Sequence, residues 1–128
     1  MLSAVEFENA GSRNRAEPVE IWKTRKFIEE HSDEKLSLRR VAKAVNVHPN
    51  YLSERFKQVT GINFVEYVAR TRFEKASRLL HDGGLRISEI AFAAGFQSLS
   101  QFNRVFKKLS GKSPTQFRAA QRVVCRHR

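Results

Sequence analysis

Residues 38–61 read LRRVAKAVNVHPNYLSERFKQVTG, and residues 87–111 read ISEIAFAAGFQSLSQFNRVFKKLSG. Set side by side, the two stretches are copies of one unit, and self-similarity of this kind decides an architecture before any other feature does. Val41, Ala42 and Ala44 recur 49 residues later as Ile90, Ala91 and Ala93. Leu52, Phe56, Lys57 and Gly61 recur 50 residues later as Phe102, Phe106, Lys107 and Gly111, so one extra residue has entered the second copy near Gln97 and Ser98. Each copy holds a short run of helical spacing, a break, and a longer amphipathic run. Asn46 and Gly95 fill equivalent places in the break, and these residue types best tolerate a left-handed backbone. The small Ala42 and Ala91 allow two helices to cross closely. A helix, a tight turn and a second helix make a helix-turn-helix. Two plain helical hairpins are the alternative, and the matched small and turn residues in both copies argue against it.

Outward from the repeat, every strong segment keeps helical spacing and strand signals are weak. A first helix is expected from about residue 18 to residue 30, with Ile21, Thr24 and Ile28 on one face and Trp22 and Phe27 widening it. Pro18, Pro49 and Pro114 stand where helices should begin, since proline suits the first helical position. Ser113 is a good cap before Pro114, and His48 a poorer one before Pro49. Between the copies a linker helix is expected at about 63–82, opened by Asn63 with Glu66 and closed by Asp82, Gly83 and Gly84. About 18 helical residues span roughly 27 Å. Adjacent major-groove faces on one side of B-DNA lie roughly 34 Å apart, so this helix has the right scale to join two reading heads.

At 128 residues and 41% apolar, the chain has enough material for a core, which argues against wholesale disorder. Its formal charge of +11 points to a polyanionic partner, nucleic acid or an anionic membrane surface. That charge is uneven. From Ile90 onward there is no Asp or Glu, while Arg104, Lys107, Lys108, Lys112, Arg118, Arg122, Arg126 and Arg128 all fall there. With Cys125 as the only cysteine, no disulfide can form within the chain, and a reducing, cytoplasmic setting is expected. No apolar run approaches the roughly 18 residues of a membrane span.

The second helix of each copy carries the candidate chemistry. At about 49–59, Leu52, Phe56 and Val59 form the buried stripe and Asn50, Ser53, Glu54, Lys57 and Gln58 face outward. At about 99–109, Phe102, Phe106 and Leu109 are buried. Ser100, Asn103, Arg104, Lys107 and Lys108 face outward, with Leu99 and Gln101 at the rim. Side chains of this length and polarity suit base edges in a major groove. Arg104 can bond both O6 and N7 of guanine. Glu54 can accept from the amino group of cytosine or pair with a nearby arginine, and both readings stay open. Lys57, Lys107, Lys108 and Lys112, with Gln101, are candidate phosphate contacts, which set register without carrying sequence information.

These residues support a resemblance. The strings YLSERFKQVTG, ARTRFEKASRLL and ISEIAFAAGFQSLSQFNRVFKKLSGKSPTQFR resemble the DNA-binding domain of the AraC/XylS transcriptional regulators of bacteria, over roughly Val19 to Ala120. The resemblance implies an all-α fold of about seven helices. Two tandem, homeodomain-like helix-turn-helix subdomains would be joined by a long central helix. With residues 1–17, which show no sustained period, read as a flexible lead-in or linker remnant, the expected division is the DNA-binding domain at 18–120 and a basic tail at 121–128. Within the domain the two motifs fall at about 38–60 and 87–110. The resemblance implies sequence-specific regulation of transcription, with both second helices entering successive major grooves. By position, base contacts fall to Asn50, Ser53 and Glu54, then to Leu99, Ser100, Asn103 and Arg104. Glu54 departs from the polar or basic residue often found there. The expected partners are double-stranded DNA and RNA polymerase, beside the nucleoid. Most relatives add an effector or dimerisation domain. The chain is therefore either a short stand-alone member or a C-terminal piece of a longer regulator, and no small-molecule effector site is visible in it.

No enzyme is expected. His31, His48, His81 and His127 are scattered, none has a partner at metal-ligand spacing, and neither a metal nor a cofactor is called for. Two rival readings stand beside this one, and the first of them predicts the same basic charge. One is a sequence-indifferent DNA coater or bender, and the other is a module that binds proteins through its outward helices.

Overall fold

The computed structural model describes residues 16–126, with side chains through Gln121. The expected lead-in at 1–15, the residues His127 and Arg128, and the side chains of Arg122, Cys125 and Arg126 lie outside the described residues. Every regular element among the described residues is an α-helix: α1 (Val19–His31), α2 (Leu38–Ala44), α3 (Pro49–Thr60), α4 (Phe64–Asp82), α5 (Ile87–Ala93), α6 (Leu99–Ser110) and α7 (Pro114–Arg126). None is long and apolar enough to cross a membrane. The chain divides into two compact units between Val68 and Ala69, inside α4.

In the first unit, Ile21 and Ile28 of α1, Val41 and Ala42 of α2, Leu52 and Phe56 of α3, and Phe64 and Val68 of α4 form one buried cluster. Thr24 sits among them, its hydroxyl satisfied by the Glu20 carbonyl at 2.7 Å. Two details of α1 differ from the sequence reading. Pro18 is the N-cap, with extended backbone, and not the first helical residue. Its carbonyl accepts from the N–H groups of Ile21 and Trp22, which closes the first turn. Glu17, assigned to the lead-in, is fixed by Arg25, whose Nε and Nη2 each donate to its carboxylate at 2.8 Å.

In the second unit, Ala76 and Leu80 of α4, Ile90 and Ala91 of α5, Ala94, Phe96, and Phe102 and Phe106 of α6 form the buried cluster. Here the C-terminal helix passes the boundary expected at Ala120: α7 runs to Arg126, so most of the expected basic tail is helical. Arg118, counted at the sequence level among the basic excess, donates from Nη2 to the Leu85 carbonyl at 2.7 Å and ties α7 to the loop before α5.

The turns of the two motifs match bond for bond. Asn46 at φ 61° and Gly95 at φ 101° are both left-handed. In the first, the N–H of Asn46 donates to the Lys43 carbonyl and that of Val47 to the Ala42 carbonyl; in the second, Gly95 donates to Phe92 and Phe96 to Ala91. This pair of bonds around a left-handed residue is a Schellman closure, and the apolar residue after it, Val47 or Phe96, folds back toward the helix it ends. Gln97 then enters before Ser98 caps α6, whereas His48 follows Val47 directly and caps α3. The extra residue lies where the two offsets located it.

The correspondence runs further than the letters do. Thr60 and Ser110 stand at the ends of α3 and α6, each with its hydroxyl 2.8 Å from a carbonyl four residues back, at Phe56 and Phe106. Gly61 and Gly111 follow at φ 84° and 81°. Asn63 Oδ1 then accepts from the Glu66 N–H, as Ser113 Oγ does from the Gln116 N–H. The Phe56 ring meets Tyr67 edge-on at 5.1 Å, and Phe106 meets Phe117 edge-on at 5.1 Å.

Candidate nucleic-acid interface

The outward residues of α3 and α6 are placed by the ends of those helices. At the start of α3, His48 Nδ1 accepts from the Asn50 N–H at 3.2 Å, so the residue read as the poorer cap does make the capping bond. Pro49 follows at the first position. At the start of α6, Ser98 Oγ accepts from the Gln101 N–H at 3.1 Å, and Gln101 Oε1 accepts from the Gln97 N–H at 3.0 Å. Both helices are 12 residues long, and both end on a left-handed glycine.

With their ends fixed, the registers are equivalent. At about 100° per residue, Asn50, Ser53, Glu54 and Lys57 share an arc of about 100° on α3. Ser100, Asn103, Arg104 and Lys107 occupy the same arc of α6. Leu52 and Phe56, then Phe102 and Phe106, hold the opposite faces at zero exposure. Asn50, Glu54 and Lys57 are exposed and Ser53 is half-buried; Leu99, Ser100, Asn103, Arg104, Lys107 and Lys108 are all exposed, as is Lys112 in the loop after α6. Gln101 is half-buried, with its carbonyl oxygen engaged by Gln97, which leaves its amide nitrogen as the donor for any outside group.

The two faces differ in charge. On α3, Glu54 stands among Arg55 and Lys57 and offsets one of them. On α6, Arg104, Lys107 and Lys108 stand without an acidic residue in the helix. An anionic surface is therefore attracted more strongly to the second face.

Sequence reasoning did not identify Tyr51, at the edge of the α3 face. Its hydroxyl donates to Glu20 Oε2 at 2.6 Å and so ties α3 to α1. That hydrogen bond, with some desolvation, pushes the phenol above its ordinary pKa. The signal in the sequence was an aromatic residue next to the buried stripe. Its partner lies 31 residues away.

Comparisons with known proteins agree with this geometry. A family model described as "Helix-turn-helix domain" matches residues 41–120. The chain is 38% identical over 94 residues to the uncharacterized HTH-type transcriptional regulator YijO of Escherichia coli (strain K12), a match covering 73% of this chain and 33% of that protein. The chain spans about a third of the length of the curated relatives it matches. Among solved structures, it is similar to the C-terminal domain of AraT, a response regulator from Geobacillus stearothermophilus, with a TM-score of 0.79 and 38% identity over 84% of this chain and 88% of that one. It is also similar to the DNA-binding domain of AdpA, a global transcriptional factor solved in complex with a target DNA, with a TM-score of 0.77 and 25% identity over 80% of this chain and 93% of that one. With its paired motifs, its repeated turns and these likenesses, the chain belongs to the AraC-type helix-turn-helix family.

Proposed function

We propose that the chain binds double-stranded DNA sequence-specifically and regulates transcription, with α3 and α6 entering successive major grooves. The observation that carries this reading is the repeated outward arc, Asn50, half-buried Ser53, Glu54 and Lys57 on α3 and the fully exposed Ser100, Asn103, Arg104 and Lys107 on α6. Each is presented by a helix that follows a left-handed turn. The likeness to a domain solved on its target DNA supports it. In this reading Asn50, Ser53, Glu54, Leu99, Ser100, Asn103 and Arg104 meet base edges, and Lys57, Gln101, Lys107, Lys108 and Lys112 meet phosphates. RNA polymerase is the second partner of a regulator so placed, and the cytoplasm, beside the nucleoid, is its setting.

The test is selection from random duplexes, followed by affinity measurements at two salt concentrations. A regulator selects a motif with two half-elements about 10–10.5 base pairs apart and prefers it to unrelated duplexes by about 10³ or more. Equal affinity for all duplexes, with only a salt slope, belongs to a coater and overturns the proposal.

A further inference from the structure

We infer that the second helix-turn-helix reads a thymine through its 5-methyl group and that Leu99 makes the contact, an inference that rests on the DNA-binding reading above. Leu99 opens α6 and is 41% exposed, while Phe102 and Phe106 of the same helix are at 0%. It stands on the border of the reading face, about 40° around the helix from Asn103 and about 20° from Phe106. The row that is apolar and buried at Phe106 is thus apolar and open to solvent two turns earlier.

In a helix-turn-helix, the N-terminal residues of the second helix are the ones that reach base edges. An apolar side chain there has one good match in the major groove, because the thymine methyl is the only methyl that the four bases display. The first turn is also held firmly. Ser98 caps the Gln101 N–H, and Gln101 in turn caps the Gln97 N–H, so Leu99 leaves a fixed stretch of backbone. The first unit has no counterpart, since Pro49 opens α3 and is half-buried. Thymine reading through a methyl therefore belongs to the second half-element, where Arg104 supplies the contact to guanine.

Replacing thymine by deoxyuridine removes the methyl and nothing else. The full chain is first used to select its preferred duplex, and each thymine of that duplex is then replaced singly by deoxyuridine. Affinities are measured for the natural chain and for Leu99→Ala, with thermal melting confirming that the variant remains folded. Burial of one methyl corresponds to about a fourfold change in affinity. One position is expected to show that loss with the natural chain and no loss with Leu99→Ala. The variant should bind the thymine duplex about as weakly as the natural chain binds the deoxyuridine one. A natural chain indifferent to deoxyuridine at every position, or a variant that keeps the full sensitivity, overturns the inference and leaves the DNA-binding reading intact. A chain that selects no motif at all overturns both.

Discussion

The guanidinium of Arg25 grips the carboxylate of Glu17 through two parallel hydrogen bonds, with both side chains only 10% exposed. This fork anchors the segment before α1, and the carboxylate holds the Arg25 charge firmly against the cost of burial. Removing one partner leaves the other charge buried. Glu17→Ala is expected to destabilise the first unit by about 3 kcal/mol, as measured by urea denaturation followed by circular dichroism.

Arg104→Ala and Lys107→Ala separate base reading from phosphate contact. The first should relax the preference at one position of the selected motif, costing about 1–3 kcal/mol there. The second should weaken binding evenly across sequences and lower the salt slope by about 1. Uniform loss from Arg104→Ala would remove its assigned role.

Tyr51→Phe cuts the tie between α3 and α1 while keeping the ring. A small loss of stability is expected at neutral pH, because the protonated phenol is the donor. Its pKa is raised in the folded chain, so the bond contributes fully below the ordinary tyrosine value of 10.0 and is lost as pH rises through the raised one. The difference between the variant and the natural chain should therefore shrink in strongly alkaline buffer. Melting curves at a series of pH values check this.

At the two turns the same substitution logic runs in opposite directions. Gly95→Ala places a Cβ on a backbone at φ 101° and is expected to cost about 1–2 kcal/mol. Asn46→Gly relieves a left-handed non-glycine residue at φ 61° and should be neutral or slightly stabilising. Thermal denaturation of both variants tests the pair.

The motifs were legible in the sequence because their buried and turn positions tolerate few residue types. Val41 can become Ile90, and Asn46 can become Gly95, without losing the pattern. The Phe56–Tyr67 and Phe106–Phe117 ring pairs escaped notice because each second ring sits in the next helix, beyond the window where spacing is informative. Glu17 falls in the lead-in by sequence for a similar reason: nothing local shows that Arg25, eight residues on, folds back over it. Arg118 looked like surface charge because a basic residue that bonds a carbonyl has the same letter as one facing solvent. The outward arcs were readable from helical periodicity alone. Their chemical assignment to bases and phosphates comes from side-chain chemistry, which periodicity does not encode.

Each of α3 and α6 begins at a side-chain cap and stops at a left-handed glycine, and its core residues keep to one side. The exposed letters Asn50, Glu54, Ser100, Asn103 and Arg104 are thereby separate from the core residues that carry the frame. Under the proposed function, substitution at those exposed positions would alter what one unit prefers and leave the buried residues of both units in place, so one repeated scaffold could carry two preferences.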